Sequence, residues 1–189
     1  MFKLTLLWLL FFITHSVFAV TPVKAFFQNT LKNKFKYYRL FYNALSLFLI
    51  LWIVCILLRM PSTYLVETDV FLNSVGLITM LLGFGVMALA FNQLDMLSFL
   101  GFSQKPESTS LNTEGVYRIV RHPLYFGIFL FLMGVFFIVP THSILLSVAM
   151  GIIYIAVGIE FEEKKLRREF GEVYLDFTHN KKKFIPFIY

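Results

Sequence analysis

Between Pro123 and Ile159 the chain runs 37 residues without an Asp, Glu, Lys or Arg, interrupted only by Pro140, Thr141 and His142. The halves, Pro123 to Val139 and Ser143 to Ile159, would each reach about 25 Å as helices at 1.5 Å per residue. That is close to the ~30 Å hydrocarbon core of a bilayer. Pro140 cannot continue the first helix, and in lipid a helix satisfies its own backbone polar groups. The stretch therefore predicts a helical hairpin across a membrane.

The rest of the chain agrees. Of 189 residues 58% are hydrophobic and 15% charged, with a mean hydropathy of +0.75, against about 25% charged in soluble domains. A water-soluble globule is excluded. Three further apolar runs, Leu4 to Val20, Leu40 to Leu58 and Val70 to Phe91, bring the expected spans to five. The expected fold is an all-α integral membrane protein, with about five transmembrane helices and a C-terminal amphipathic cytoplasmic helix. It is read as one domain, residues 1–110 supplying the N-terminal spans and residues 111–186 the hairpin and tail.

Charge sets the orientation. The segment Thr21 to Arg39 holds Lys24, Lys32, Lys34, Lys36 and Arg39 and no acid, the pattern of a cytoplasmic loop. Alternating sides from there places 15 of the 17 basic residues in the cytoplasm, all but Lys3 and Arg59. The N-terminus is then outside and the C-terminus inside, in a multi-pass protein of the cell (inner) membrane. Residues 1–19 also fit a cleavable signal peptide, although cleavage at Ala19 would export five positive charges. The net charge of +6 thus reports topology, and no nucleic acid is expected as partner. From Glu160 a charged helix carries Leu166, Phe170, Val173, Tyr174 and Phe177 at helical spacing, so it should lie along the cytoplasmic surface among membrane lipids. Cys55 reads as a small buried hydrophobe, and with neither HExxH nor clustered Cys and His, no metal is expected.

Equal helix lengths bring His122 and the cluster Glu160, Glu162 and Glu163 to the same depth. Arg118, Arg121, Tyr117 and Tyr125 join them, at a level where polar groups are costly unless paired or in use. Residue types leave two readings open. The arginines can be topological anchors, with Pro123 in a helix first turn and the glutamates in water; or the cluster is a site for a zwitterionic cofactor. The glutamates are expected at a wet interface. The residue before Pro123 is biased toward extended backbone, so the His122 carbonyl and ring should both turn away from the fourth span, toward the facing tail.

The string Gly115-Val116-Tyr117-Arg118-Ile119-Val120-Arg121-His122-Pro123-Leu124-Tyr125-Phe126-Gly127, followed by Glu162-Glu163-Lys164-Lys165-Leu166, Phe170-Gly171-Glu172-Val173-Tyr174 and Ile185-Pro186, resembles the isoprenylcysteine carboxyl methyltransferase and phospholipid methyltransferase superfamily. Thr14-His15-Ser16, Tyr38 to Asn43, Asp95 and Leu111-Asn112-Thr113 look like its bacterial branch of methanethiol S-methyltransferases and NnrU-type membrane proteins. By itself His15 reads as a packed, hydrogen-bonded histidine. The resemblance implies S-adenosylmethionine as methyl donor, held in a cytoplasm-facing pocket. Tyr117, Arg121, His122, Pro123, Tyr125, Gly127, Glu162, Glu163 and Tyr174 would bind it. The segment around His122 and Tyr125 would take the adenine end, and Glu162 and Glu163 the ribose hydroxyls or the methionine ammonium. The resemblance singles out no catalytic residue, and Arg121 and Glu163 are the candidates. Phe177 stands where the superfamily often has Tyr, and Lys181-Lys182-Lys183 where it usually has an Arg-containing segment. These departures leave open which basic group neutralises the cofactor carboxylate or orients the acceptor. A lipophilic or small-molecule acceptor bearing a carboxylate, thiol or amine is implied. A non-enzymatic accessory protein and an NADPH-dependent membrane reductase are the competing classes.

Overall fold

The computed structural model describes residues 1–61, 63–93, 102, 111–179 and 181–186. Seven α-helices are found among them: α1 Phe2–Ala19, α2 Thr21–Leu31, α3 Tyr38–Arg59, α4 Val70–Phe91, α5 Pro123–Ile138, α6 His142–Phe170 and α7 Glu172–His179. Short 3-10 turns cover Lys32–Tyr37 and Gly115–Arg118. The stretches Phe2–Ala19, Thr21–Arg59, Val70–Phe91 and His142–Phe170 are long and apolar enough to cross a membrane. Helix α5 is apolar but has 16 residues, roughly 24 Å at 1.5 Å per residue. The protein is an all-helical membrane protein. Asp95 and most of the loop around Pro106 lie outside the described residues.

The chain divides into two compact units. One is Met1–Ser62 with Asp95–Pro106, the other Thr63–Leu94 with Glu107–Tyr189. In the first, α1 and α3 are joined by large side chains and two polar ties. The Tyr38 hydroxyl donates to the Phe18 carbonyl at 2.9 Å, and His15 Nδ1 lies 3.0 Å from Ser46 Oγ. His15 stacks on Phe11 and meets Tyr42 edge-on, which is the packed role expected of it. The segment from Thr21, expected as a loop, is mostly helical: Pro22 sits in the first turn of α2, where its fixed φ suits a helix start. Cys55 is exposed on α3 rather than buried.

In the second unit α4 and α5 pack antiparallel through glycines seven residues apart. A Cβ on Gly83 would come within 2.5 Å of the Phe131 backbone nitrogen and 2.6 Å of the Gly127 carbonyl, and one on Gly134 within 2.5 Å of the Met80 nitrogen. Large side chains point outward instead, with Val70, Phe71 and Phe84 at 83%, 74% and 63% exposure. Lipid permits this reversal, because small residues let helix backbones approach while bulky ones face the acyl chains. The third span therefore packs with the hairpin.

At the far end of the hairpin the Thr141 side chain caps α6 by accepting from the Ile144 N–H. The Leu65 N–H donates to the Pro140 carbonyl at 2.8 Å. Asp69 caps α4 through the Leu72 N–H at 2.7 Å. Helix α6 does not stop at Ile159, where a separate surface helix was expected to start. Nothing there breaks the backbone, so it runs 29 residues to Phe170. Gly171 ends it at φ +53°, a conformation open to glycine without steric penalty, and α7 turns back. Tyr174 is then buried at 1% exposure while Val173 remains exposed.

Candidate functional site

The site forms where α5 begins and the charged extension of α6 leaves the apolar stretch. Residues 115–118 make one 3-10 turn, after which the chain is non-helical through Val120, Arg121 and His122, with a bend at Arg121. This segment is held by the tail: the Arg121 N–H donates to the Lys182 carbonyl at 2.9 Å, and Val120 forms a parallel bridge with Lys182. His122 precedes Pro123 at φ −122°, ψ 62°, so its backbone is not helical. Its carbonyl nonetheless accepts from the Phe126 N–H at 3.1 Å and points into the helix, opposite to the outward turn expected. Its ring does turn toward α6.

Glu163 is the centre of the cluster. It is 3% exposed, not at a wet surface as expected, and protein groups surround it. His122 Nε2 lies 2.9 Å from Oε1, and the Tyr174 hydroxyl donates to the same oxygen at 2.7 Å. Arg121 Nη1 donates to Oε2 at 3.2 Å, with Arg167 Nη2 at 3.7 Å. Burial pushes this carboxyl up, but the hydrogen bonds from His122 and Tyr174 and the Arg121 charge outweigh it and hold it down at about 2. A carboxylate so satisfied has little capacity left for a ligand.

Glu162 is the opposite case. Its side chain is 42% exposed and its Oε2 lies 3.6 Å from His122 Nδ1. The imidazole thus sits between two carboxylates. Burial favours its neutral form, yet the bonds and charges of Glu162 and Glu163 win and raise its pKa. The Tyr125 ring lies 5.8 Å from the His122 ring, tilted by 50°. The Tyr117 hydroxyl is pushed up to about 12, first by burial and then by the Glu162 charge.

Seven of the nine expected residues, Tyr117, Arg121, His122, Tyr125, Glu162, Glu163 and Tyr174, thus meet in one cluster. Pro123 is buried at the helix start, and Gly127 faces α4, where a Cβ would meet Met87 Cγ at 2.7 Å and the Gly83 carbonyl at 2.9 Å. Gly127 serves packing. Arg118 is exposed. One buried polar atom stands out: Arg121 Nε has no hydrogen-bond partner among the described residues. Among the same residues no group of three His, Cys, Asp or Glu is arranged to hold a metal ion.

Sequence reasoning did not anticipate the returning tail. Lys183 pairs with Glu160, and Phe184 meets Phe126 and Phe129 edge-on at 5.9 and 5.6 Å. The available signal was the basic run before Ile185-Pro186.

Helical hairpin, glycine-packed partner helix and polar cluster define the class, and comparison with known proteins agrees. The phospholipid methyltransferase family model matches residues 71–173, more than half of the chain, and the chain belongs to that family. The match begins in α4, the helix packed on α5. Among characterised relatives it is 33% identical over 115 residues to methanethiol S-methyltransferase of Pseudomonas deceptionensis, covering 56% of this chain and 42% of that protein. It is 39% identical over 94 residues to the methanethiol S-methyltransferase of Crocosphaera subtropica, covering 48% and 35%. With protein-S-isoprenylcysteine O-methyltransferase B of Arabidopsis thaliana it shares 32% over 87 residues, covering 45% and 44%. The chain thus spans less than half the length of these relatives. No solved structure matches it significantly.

Proposed function

We propose that this protein is a membrane methyltransferase that takes its methyl group from S-adenosylmethionine and gives it to a small or lipophilic acceptor. The observation carrying the reading is the pairing, in one cluster, of a fully satisfied carboxylate and groups with unused capacity. Glu163 fixes Arg121 and His122 in place, while Arg121 Nε is a buried donor with no hydrogen-bond partner among the described residues and Glu162 keeps a partly exposed carboxylate. That donor set fits a zwitterion. Arg121 would take the carboxylate, Glu162 the ammonium or the ribose hydroxyls, and Tyr117 and Tyr125 a flat ring. Bound there, the donor supplies an electrophilic methyl on a sulfonium. The chain's own work is to orient it, exclude water and supply fixed charge, since alignment and electrostatics dominate such a transfer. Relatives named for methanethiol favour a thiol as acceptor.

Titration calorimetry on protein in nanodiscs tests this. One donor molecule should bind per chain, and Glu162→Ala should weaken binding roughly 10-fold to 100-fold, the equivalent of about 1.5 to 3 kcal/mol for a hydrogen bond to a charged group. Absence of binding would end the methyltransferase reading and favour an accessory role. The site is proposed to face the cytoplasm of a cell (inner) membrane, with the N-terminus outside. A cytosolic signal from a reporter inserted between Pro61 and Thr68 would reverse that orientation.

A further inference from the structure

Between α5, α6 and the returning tail lies an apolar cavity of about 140 Å³. Ile152, Ile155, Ala156 and Ile159 line it at i, i+3, i+4 and i+7, one face of α6, opposite Phe129 and Phe184. Its polar lining is Glu160 and Lys183, paired with each other. Glu163 follows Ile159 by one helical turn, about 5.4 Å along the axis, so the cavity adjoins the ionic cluster on the same helix.

We propose that this cavity is the acceptor subsite. It takes the alkyl part of a small aliphatic thiol of up to about six carbons, with Lys183 holding the sulfur as thiolate. The inference rests on the methyltransferase reading and adds the acceptor's size, its charge state and the basic residue that faces it. Size comes from volume: an apolar cavity of about 150 Å³ accepts a guest as large as benzene. Charge selects among acceptors. An ammonium, which Glu160 could attract, has no lone pair to take the methyl group, and a carboxylate, ionised at neutral pH, would have to enter already charged. A thiol crosses apolar surroundings neutral and ionises beside a lysine. Entry is lateral, since Ile152 and Ala156 are exposed on the α6 face that a bilayer would cover. Glu160 is also exposed, so its carboxylate can turn to water as the sulfur takes its place beside Lys183, whose side chain is 16% exposed.

The balance closes. The thiol proton leaves to water at the Glu160 end; the sulfur lone pair then forms the new S–CH3 bond as the donor's sulfonium S–CH3 bond breaks. One positive and one negative charge disappear, leaving two neutral thioethers.

The test is a series of n-alkane thiols from one to ten carbons, with the whole protein in nanodiscs and S-adenosylmethionine as donor. Values of kcat/KM are referred to free aqueous thiol. They should rise about fourfold per methylene to about six carbons and no further. Ala156→Phe, filling the cavity from an exposed position, should move the break to three carbons or fewer. Without donor, hexane-1-thiol should raise the Tm of the parent and leave that of Ala156→Phe unchanged. Lys183→Gln should lower kcat/KM for every thiol at least tenfold and shift its pH profile upward, Lys183→Arg should largely restore both, and donor affinity by calorimetry should stay within twofold in all variants. A length profile rising to ten carbons, or one identical in Ala156→Phe, overturns the subsite. Equal loss of donor affinity and thiol turnover in Lys183→Gln assigns that lysine to the donor and overturns its role here. If the parent binds no donor, the methyltransferase reading itself fails, and calorimetry reports that before any thiol is added.

Discussion

Helices α1 and α3 meet through large side chains, α4 and α5 through their backbones. In the first pair Trp8, His15, Tyr38 and Tyr42 fill the space, and the His15–Ser46 contact adds a polar tie. In the second, glycines at 76, 83, 127 and 134 remove the side chains, and each would-be Cβ falls within 3 Å of the opposing helix. A side-chain interface can repack by changing rotamers; a backbone interface cannot. The difference follows what each pair carries. Helix α5 begins at His122, and the contact of Gly127 with Gly83 and Met87 lies one turn into it. The rigid interface therefore fixes the residue that must meet Glu163.

The largest break in this comparison should come from Gly83→Leu. Its side chain would have to displace the Phe131 and Gly127 backbone, so a loss above about 3 kcal/mol is expected, at or beyond the upper end of ordinary overpacking. It should be measured by unfolding in detergent. Gly85→Ala on the same helix is the control: nothing lies within 4 Å of its Cβ, and the Tm should hold. A large loss from Gly85→Ala would show that crowding along α4 is not confined to the face that meets α5, since alanine is otherwise the better helix former.

Next is Glu163→Ala, which leaves Arg121, whose side chain is largely buried, without its counter-charge and His122 with Glu162 alone. Such removals cost about 3 to 5 kcal/mol, so the variant should be unstable, whereas Glu162→Ala should unfold like the parent. Acid sharpens the point. A carboxyl held at about 2 in the folded protein against 4.5 unfolded stabilises fully above 4.5, by about 3 kcal/mol, and loses that contribution as pH falls toward 2. His122, with its pKa raised, adds stability below the unfolded value of 6.5 and loses it as pH rises through the folded one. Stability should decline on both sides of mildly acidic pH, and an acid limb unchanged in Glu163→Gln would refute this account.

The smallest effect belongs to the first pair. Ser46→Ala removes the partner of His15 and should cost about 0.6 kcal/mol, the average for hydrogen bonds between membrane helices. A loss above 2 kcal/mol would mean that α1 and α3 depend on that polar tie rather than on their aromatic packing.

The hairpin was legible because an uncharged stretch of about twice the bilayer thickness, broken by one internal proline, has a single economical arrangement. The meeting of Arg121 and His122 with Glu162 and Glu163 followed from equal helix lengths. What separates Glu162 from Glu163 was hidden: identical neighbours in sequence differ by about 100° around a helix axis, and which one faces inward depends on packing. The glycine face was visible as two seven-residue spacings, but its meaning requires the second helix. The outward turn expected of the His122 carbonyl failed because a residue before proline can still offer that carbonyl to the first helical turn. The tail's return to Arg121 had no periodic signal at all.

That return also has a consequence for biogenesis. The Arg121 N–H waits for a carbonyl encoded 61 residues later, at Lys182 (182 − 121). At about 5 to 20 residues per second, translation takes roughly 3 to 12 s to deliver it. The hairpin is made during that interval with its polar cluster lacking a strap. Nascent chains stalled between Tyr174 and Lys182 would therefore be membrane-embedded yet incomplete, the stage at which a cell's quality control could tell finished molecules from unfinished ones.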